Sequence, residues 1–181
     1  MAPPGKTLSD LGLLTSQIPP NLIYGLAVDS REVRKGYLFV ALPGSQTHGA
    51  KFANLAFSNG AIAILTDPEG SMIAAEEIKK FNIEVCILDD PRGALAHASA
   101  LFYGSQPEVV VAVTGTNGKT SVASFCQQIW ANIGMSAISL GTTGIEGSWS
   151  ASLSHTTPDP IVLHRVLAQA KRAGVTHVAM E

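Results

Sequence analysis

Apolar and polar positions alternate in short blocks along the chain, and the period of the pattern changes from block to block. Residues 22–29 and 36–42 are rich in Leu, Ile, Val, Tyr and Phe and are bounded by polar residues and glycine, which predicts two strands around a turn at 30–35. Helical spacing follows over 50–59, then a buried strand over 61–66, a helix over 71–81 and a strand over 85–88. Residues 92–103 are helical in composition. The sequence Gly104-Ser105-Gln106-Pro107 then ends that helix, because glycine closes it and proline cannot continue it. A domain boundary is expected there, with residues 1–104 as one domain, 105–107 as linker and 108–181 as a second.

Beyond the boundary the pattern restarts. Residues 109–114 hold four valines and an alanine, as in a central parallel strand buried on both faces. Val122, Phe125, Cys126, Ile129, Trp130 and Ile133 follow at helical spacing, so one apolar face is expected, with Phe125 and Trp130 in the core. A strand over 136–140 comes next, and Thr157 as N-cap with Pro158 at the first helical position predicts a helix to about residue 173, closed by Gly174. Residues 175–180 form a last apolar strand, and the absence of a turn or cap after it predicts a chain cut short at Glu181. Alternating strands and helices indicate an α/β fold with layered sheets.

Composition narrows the class. Apolar types make up 46% and charged types 14%, which excludes a disordered chain. A formal charge of -2 supplies no field for unspecific nucleic-acid binding. Cys86 and Cys126 lack any paired spacing and are expected as buried free thiols in a reducing cytosol. The uncharged stretch 120–145 is interrupted by Ser, Thr, Gln, Asn and Gly, so core rather than membrane is expected. The N-terminal residues lack a secretory apolar region, and a soluble cytoplasmic protein follows.

The chemistry concentrates in Gly115-Thr116-Asn117-Gly118-Lys119-Thr120, between the valine strand and the amphipathic helix. Glycines let backbone N–H groups turn around phosphate oxygens, and the helix N-terminus adds partial positive charge. Lys119 can reach the β and γ phosphates, and the Thr120 hydroxyl can ligate Mg²⁺. Val113 stands where the full G-x-x-x-x-G-K-[ST] pattern has its first glycine, so this is a shorter variant. A metal-binding carboxylate is expected at the end of a neighbouring strand, and Glu181 occupies such a place. His97, His164 and His177 have no partner spacing and are expected to pack.

The segment Val113-Thr114-Gly115-Thr116-Asn117-Gly118-Lys119-Thr120 resembles the ATP loop of the Mur ligases of peptidoglycan synthesis, a loop shared with folylpolyglutamate and cyanophycin synthetases. Asp29-Ser30-Arg31, the run from Gly36 to Gly44, and His48-Gly49 resemble the uridine-nucleotide-binding domain of the MurE and MurF branches. His155-Thr156-Thr157-Pro158-Asp159 and Ala179-Met180-Glu181 resemble the MurE branch. The resemblance implies a small N-terminal α/β uridine-nucleotide domain followed by the beginning of a P-loop parallel-sheet ATPase domain. It further implies ATP and Mg²⁺ as cofactors, UDP-MurNAc-dipeptide and a diamino acid as substrates, and a monomer. Meso-diaminopimelate and L-lysine stay equally open. By the same resemblance Ser30, Ser45, Gln46, Thr47, Thr156 and Thr157 contact the UDP substrate, and Gly115, Thr116, Asn117, Gly118, Lys119, Thr120 and Ser121 hold ATP. Lys119 is the catalytic cation, and Thr120 and Glu181 take the metal. A MurF-type ligase and a non-catalytic nucleotide-binding module are the alternatives.

Overall fold

The computed structural model describes residues 4–13, 21–151 and 159–181. The chain divides into two compact units, Met1–Phe102 and Tyr103–Glu181. In the first, β1 (Gly25–Ala27), β2 (Tyr37–Ala41), β3 (Ala61–Thr66) and β4 (Glu84–Ile87) form a sheet in chain order, all neighbours parallel. Leu38, Phe39, Val40, Ala63, Ile64 and Leu65 are successive residues of β2 and β3 and are all buried, as in a parallel sheet covered on both faces. Phe39 and Ile64 pack with Ala53, Ala56 and Phe57 of α1 (Ala53–Ser58). Small alanines there let helix and sheet approach closely.

Gly60 ends the α1 connection with φ +103°, and a Cβ there would lie 2.7 Å from the Lys35 Cα. Only glycine fits that corner. The helix expected over 71–81 is two helices, α2 (Pro68–Ile73) and α3 (Ala75–Phe81), broken at the fully buried Ala74. The earlier start has a local cause: the Asp67 carboxylate accepts the Gly70 N–H at 2.7 Å and Pro68 stands at the first helical position. The same Asp67 Oδ1 lies 3.0 Å from Nε2 of His48, whose Nδ1 accepts the Ala50 N–H at 3.0 Å. Nδ1 is therefore unprotonated and Nε2 donates. Asp67→Ala removes a helix cap and strands a buried donor, so it should lower stability by about 1–3 kcal/mol. The midpoint of urea unfolding checks this. The unit closes with α4 (Pro91–Tyr103), which buries Leu95, Ala98, Ser99 and Phe102 along one face.

The second unit has a sheet of order β5-β8-β6-β7, from β5 (Val109–Ala112), β6 (Ala137–Gly141), β7 (Gly144–Gly147) and β8 (His177–Met180). β5, β8 and β6 are parallel, while β7 returns antiparallel to β6. That hairpin lies outside the expected elements. Its signal is Thr142-Thr143 between Gly141 and Gly144, a two-residue connection before Ile145. The core joins Ile138, Leu140, Val175 and Val178 to Val166, Leu167 and Ala170 of α6 (Pro160–Arg172), with Trp149 packed against it.

Three expectations for this unit are corrected. β5 is an edge strand whose every residue is exposed, because it pairs with β8 and, among the described residues, with no strand on its other side. The helix α5 (Lys119–Asn132) lies over β6 and β8 but buries only Ala123, leaving Val122, Phe125, Ile129 and Ile133 exposed and Trp130 and Cys126 half-buried. α6 begins two residues later than expected, with Asp159 accepting the Val162 N–H at 2.9 Å and Pro160 at the first position. Thr157 and Pro158 lie outside the described residues. Cys86 is buried, as expected, and burial pushes its thiol up to about 11, which keeps it unreactive at neutral pH.

Candidate functional site

The loop from Gly115 to Gly118 links β5 to α5, and its two glycines adopt positive φ, +149° and +78°. Gly118 takes the left-handed position at the helix start with no side-chain cap, so the first N–H groups of α5 face open solvent. Thr116, Asn117, Thr120 and Ser121 are exposed beside them. Lys119 curls back so that its Nζ donates to the Gly115 carbonyl at 2.7 Å. The lysine is thereby tied to its own loop, and that neutral acceptor is one an anion can replace.

Glu181 stands directly beyond β8. Its N–H donates to the Leu140 carbonyl at 3.1 Å, continuing the ladder with β6 past the last strand residue. Its side chain collects three donors: the Thr120 hydroxyl on Oε2 at 2.8 Å, and the Thr142 N–H and hydroxyl on Oε1 at 2.7 and 2.9 Å. The Thr142 N–H, followed by the Thr120 hydroxyl, holds this carboxyl below the usual carboxylate range. It is ionised at neutral pH. The structure thus joins two residues singled out from the sequence, Thr120 and Glu181, and adds one that was not, Thr142. A hydroxyl residue just past the carboxyl end of β6 was its signal.

A cavity of about 310 Å³ opens beside this cluster, with Thr120, Ser124, Ser139, Glu146 and Glu181 among its lining. Among the described residues no group of three or more His, Cys, Asp or Glu side chains could cage a metal ion. One carboxylate and one hydroxyl side by side are instead the donor set suited to Mg²⁺, which keeps most of its water and shares phosphate oxygens.

In the first unit Ser30 is buried and its carbonyl accepts from Asn59 Nδ2 at 2.9 Å, while the exposed Arg31 forks onto Asp29, shortest at 2.6 Å. Ser45, Gln46 and Thr47 form an exposed turn closed by an antiparallel bridge between Pro43 and His48. His48 is buried, with both ring nitrogens engaged as described. Thr156 lies with Thr157 outside the described residues. His164 contacts Gln106 through Nδ1 at 2.9 Å, and burial pushes its ring down. His177 packs against Trp130 in a tilted contact, with ring centroids 5.1 Å apart and planes inclined at 52°.

Residues 113–181 match the Mur ligase middle domain, and residues 22–103 match the Mur ligase family catalytic domain. The chain belongs to the Mur ligase family. Among curated Mur ligases it is similar to the UDP-N-acetylmuramoyl-L-alanyl-D-glutamate--2,6-diaminopimelate ligase of Brucella melitensis, 51% identical over 160 residues, covering 88% of this chain and 32% of the relative. The enzyme of the same name from Caulobacter vibrioides is 42% identical over 183 residues, 97% of this chain and 36% of the relative. The chain thus spans about a third of the length of these relatives. A solved ligase of that name superposes with TM-score 0.77 at 24% identity, over 98% of this chain and 36% of that one. MurF from Thermotoga maritima in complex with ADP superposes with TM-score 0.53 at 21% identity, over 86% and 31%. The α/β fold with parallel sheets is that of Mur ligases. No helix among the described residues is long and apolar enough to cross a membrane.

Proposed function

We propose that this chain forms the nucleotide-binding third of a cytoplasmic, monomeric ATP-dependent ligase that adds a diamino acid to UDP-MurNAc-L-Ala-D-Glu. The observation that carries the reading is the Thr120–Glu181 hydrogen bond, which ties the phosphate-loop hydroxyl to a carboxylate at the end of the adjacent parallel strand. The relatives' names, with 2,6-diaminopimelate in each, favour that diamino acid over lysine. Residues 1–104 hold the uridine nucleotide through Ser30 and the Ser45-Gln46-Thr47 turn, with Thr156 and Thr157 on the muramoyl peptide. Residues 108–181 hold ATP through the loop from Gly115 to Ser121.

The substrate D-glutamyl γ-carboxylate attacks the γ-phosphorus of ATP, ADP departs, and an acyl phosphate results. The amine of the diamino acid then attacks the acyl carbon, inorganic phosphate leaves with its electron pair, and the nitrogen loses a proton. Lys119 leaves the Gly115 carbonyl for the phosphate chain, and its charge, together with the N–H groups at the start of α5, offsets the charge on the transferring phosphoryl group. Thr120 and Glu181 would hold Mg²⁺, which adds further charge neutralisation there. No side chain acts as a covalent nucleophile.

The test is to incubate the full-length polypeptide with ATP, Mg²⁺, UDP-MurNAc-L-Ala-D-Glu and either diaminopimelate or lysine. Tripeptide and phosphate in equal amounts, with diaminopimelate preferred, are expected; absence of both products refutes the reading. Ser30→Ala should weaken uridine-nucleotide binding about five- to tenfold and leave ATP binding unchanged, because the two ligands occupy different units. Equal losses in calorimetry would refute the assignment of the uridine site.

A further inference from the structure

The carboxylate of Glu181 is held in an unusual way. Both lone pairs of Oε1 are filled by a single residue, the N–H and the hydroxyl of Thr142, at 2.7 and 2.9 Å. Among the described residues Oε2 accepts only the Thr120 hydroxyl, at 2.8 Å, which leaves its other lone pair open to them. The preceding residue provides the space. A Cβ on Gly141 would run into Glu181 Oε1 and would lie 2.8 Å from both its Cγ and its Cδ, so the side chain occupies the place a larger residue would take. Gly141 and Thr142 belong to the tip of the β6–β7 hairpin, where Gly141 pairs with Gly144 across the two-residue connection. One short turn thus sets where the carboxylate lies and which of its oxygens is available.

We propose that this hairpin tip positions the metal-binding carboxylate: Gly141 admits the Glu181 side chain and Thr142 saturates Oε1, leaving Oε2, beside the Thr120 hydroxyl, as the single oxygen offered to a divalent cation. Thr142 is a positioning residue that touches neither nucleotide nor metal. The inference rests on the Mg²⁺–ATP reading above. Its specific content is that a residue outside the phosphate loop and off β8 controls metal-dependent nucleotide affinity without affecting the affinity for nucleotide alone.

The experiment uses the full-length ligase, with ATP binding measured calorimetrically in Mg²⁺ and again in excess chelator, and Mn²⁺ binding in the presence of ADP followed by electron paramagnetic resonance. Thr142→Val keeps the shape and the N–H but removes the hydroxyl donor. It should weaken Mn²⁺ binding and Mg²⁺-dependent ATP affinity about tenfold or more while leaving chelator affinity within about twofold. Thr142→Ser should restore both, and Gly141→Ala should lose more than Thr142→Val. Equal loss in Mg²⁺ and in chelator would show a merely structural role and overturn the proposal, as would wild-type metal binding in Thr142→Val. If the wild type itself gains no ATP affinity from Mg²⁺, the Mg²⁺–ATP reading fails, and the proposal falls with it. That outcome is distinguishable because it shows before any substitution is made.

Discussion

Replacing Lys119 with alanine is expected to reduce ATP turnover by the full-length ligase at least about a hundredfold, the scale of losing one pre-positioned charge-stabilising donor. The fold should survive the change. Lys119 sits at the start of α5 in an otherwise exposed loop, and among the described residues its ammonium bonds only to the Gly115 carbonyl of that loop. Unfolding free energy should therefore stay within about 0.5 kcal/mol of wild type. Phosphate release and urea denaturation, measured on the same preparation, separate the two effects. Turnover at the wild-type rate would refute the loop's role in phosphoryl transfer.

The largest effect on stability is expected from Phe39→Ala. Phe39 is 1% exposed in the middle of β2 and packs against both the α1 side of the first core and its neighbour Ile64. Many of its neighbours are alanines, which have no side-chain freedom to fill the void. A loss of about 3–5 kcal/mol follows, near the upper end for large-to-small core substitutions. Amide hydrogen exchange checks this locally: protection across β2 and β3 should fall together. Unchanged protection there would show that the first sheet does not depend on this ring.

The strands and helices of the first unit were legible because burial on both faces of a parallel sheet leaves continuous apolar runs, as in residues 61–66. The break at Ala74 was not, since a buried alanine suits a helix interior as well as a junction, and the Asp67 cap that shifts the start has its effect through a single hydrogen bond. In the second unit the valine run of β5 and the apolar stripe of α5 carry the composition of a core, yet β5 is exposed throughout and the stripe is mostly exposed, with Cys126 and Trp130 half-buried. Composition records what a surface is suited to contact, not what lies against it. The glycine-rich turn between β5 and α5 was legible from Gly115 and Gly118, because the positive φ that both adopt favours that residue type. Thr142 was not, since its contact with Glu181 depends on a hairpin that brings together residues 39 positions apart.

Both tryptophans of the chain lie in the second unit, Trp130 in tilted contact with His177 and Trp149 against the core built on α6. The first unit has none. Indole emission is therefore an intrinsic label for the nucleotide-loop unit alone: a change in fluorescence on adding ATP or denaturant reports on that unit, and uridine-nucleotide binding has to be followed by another signal.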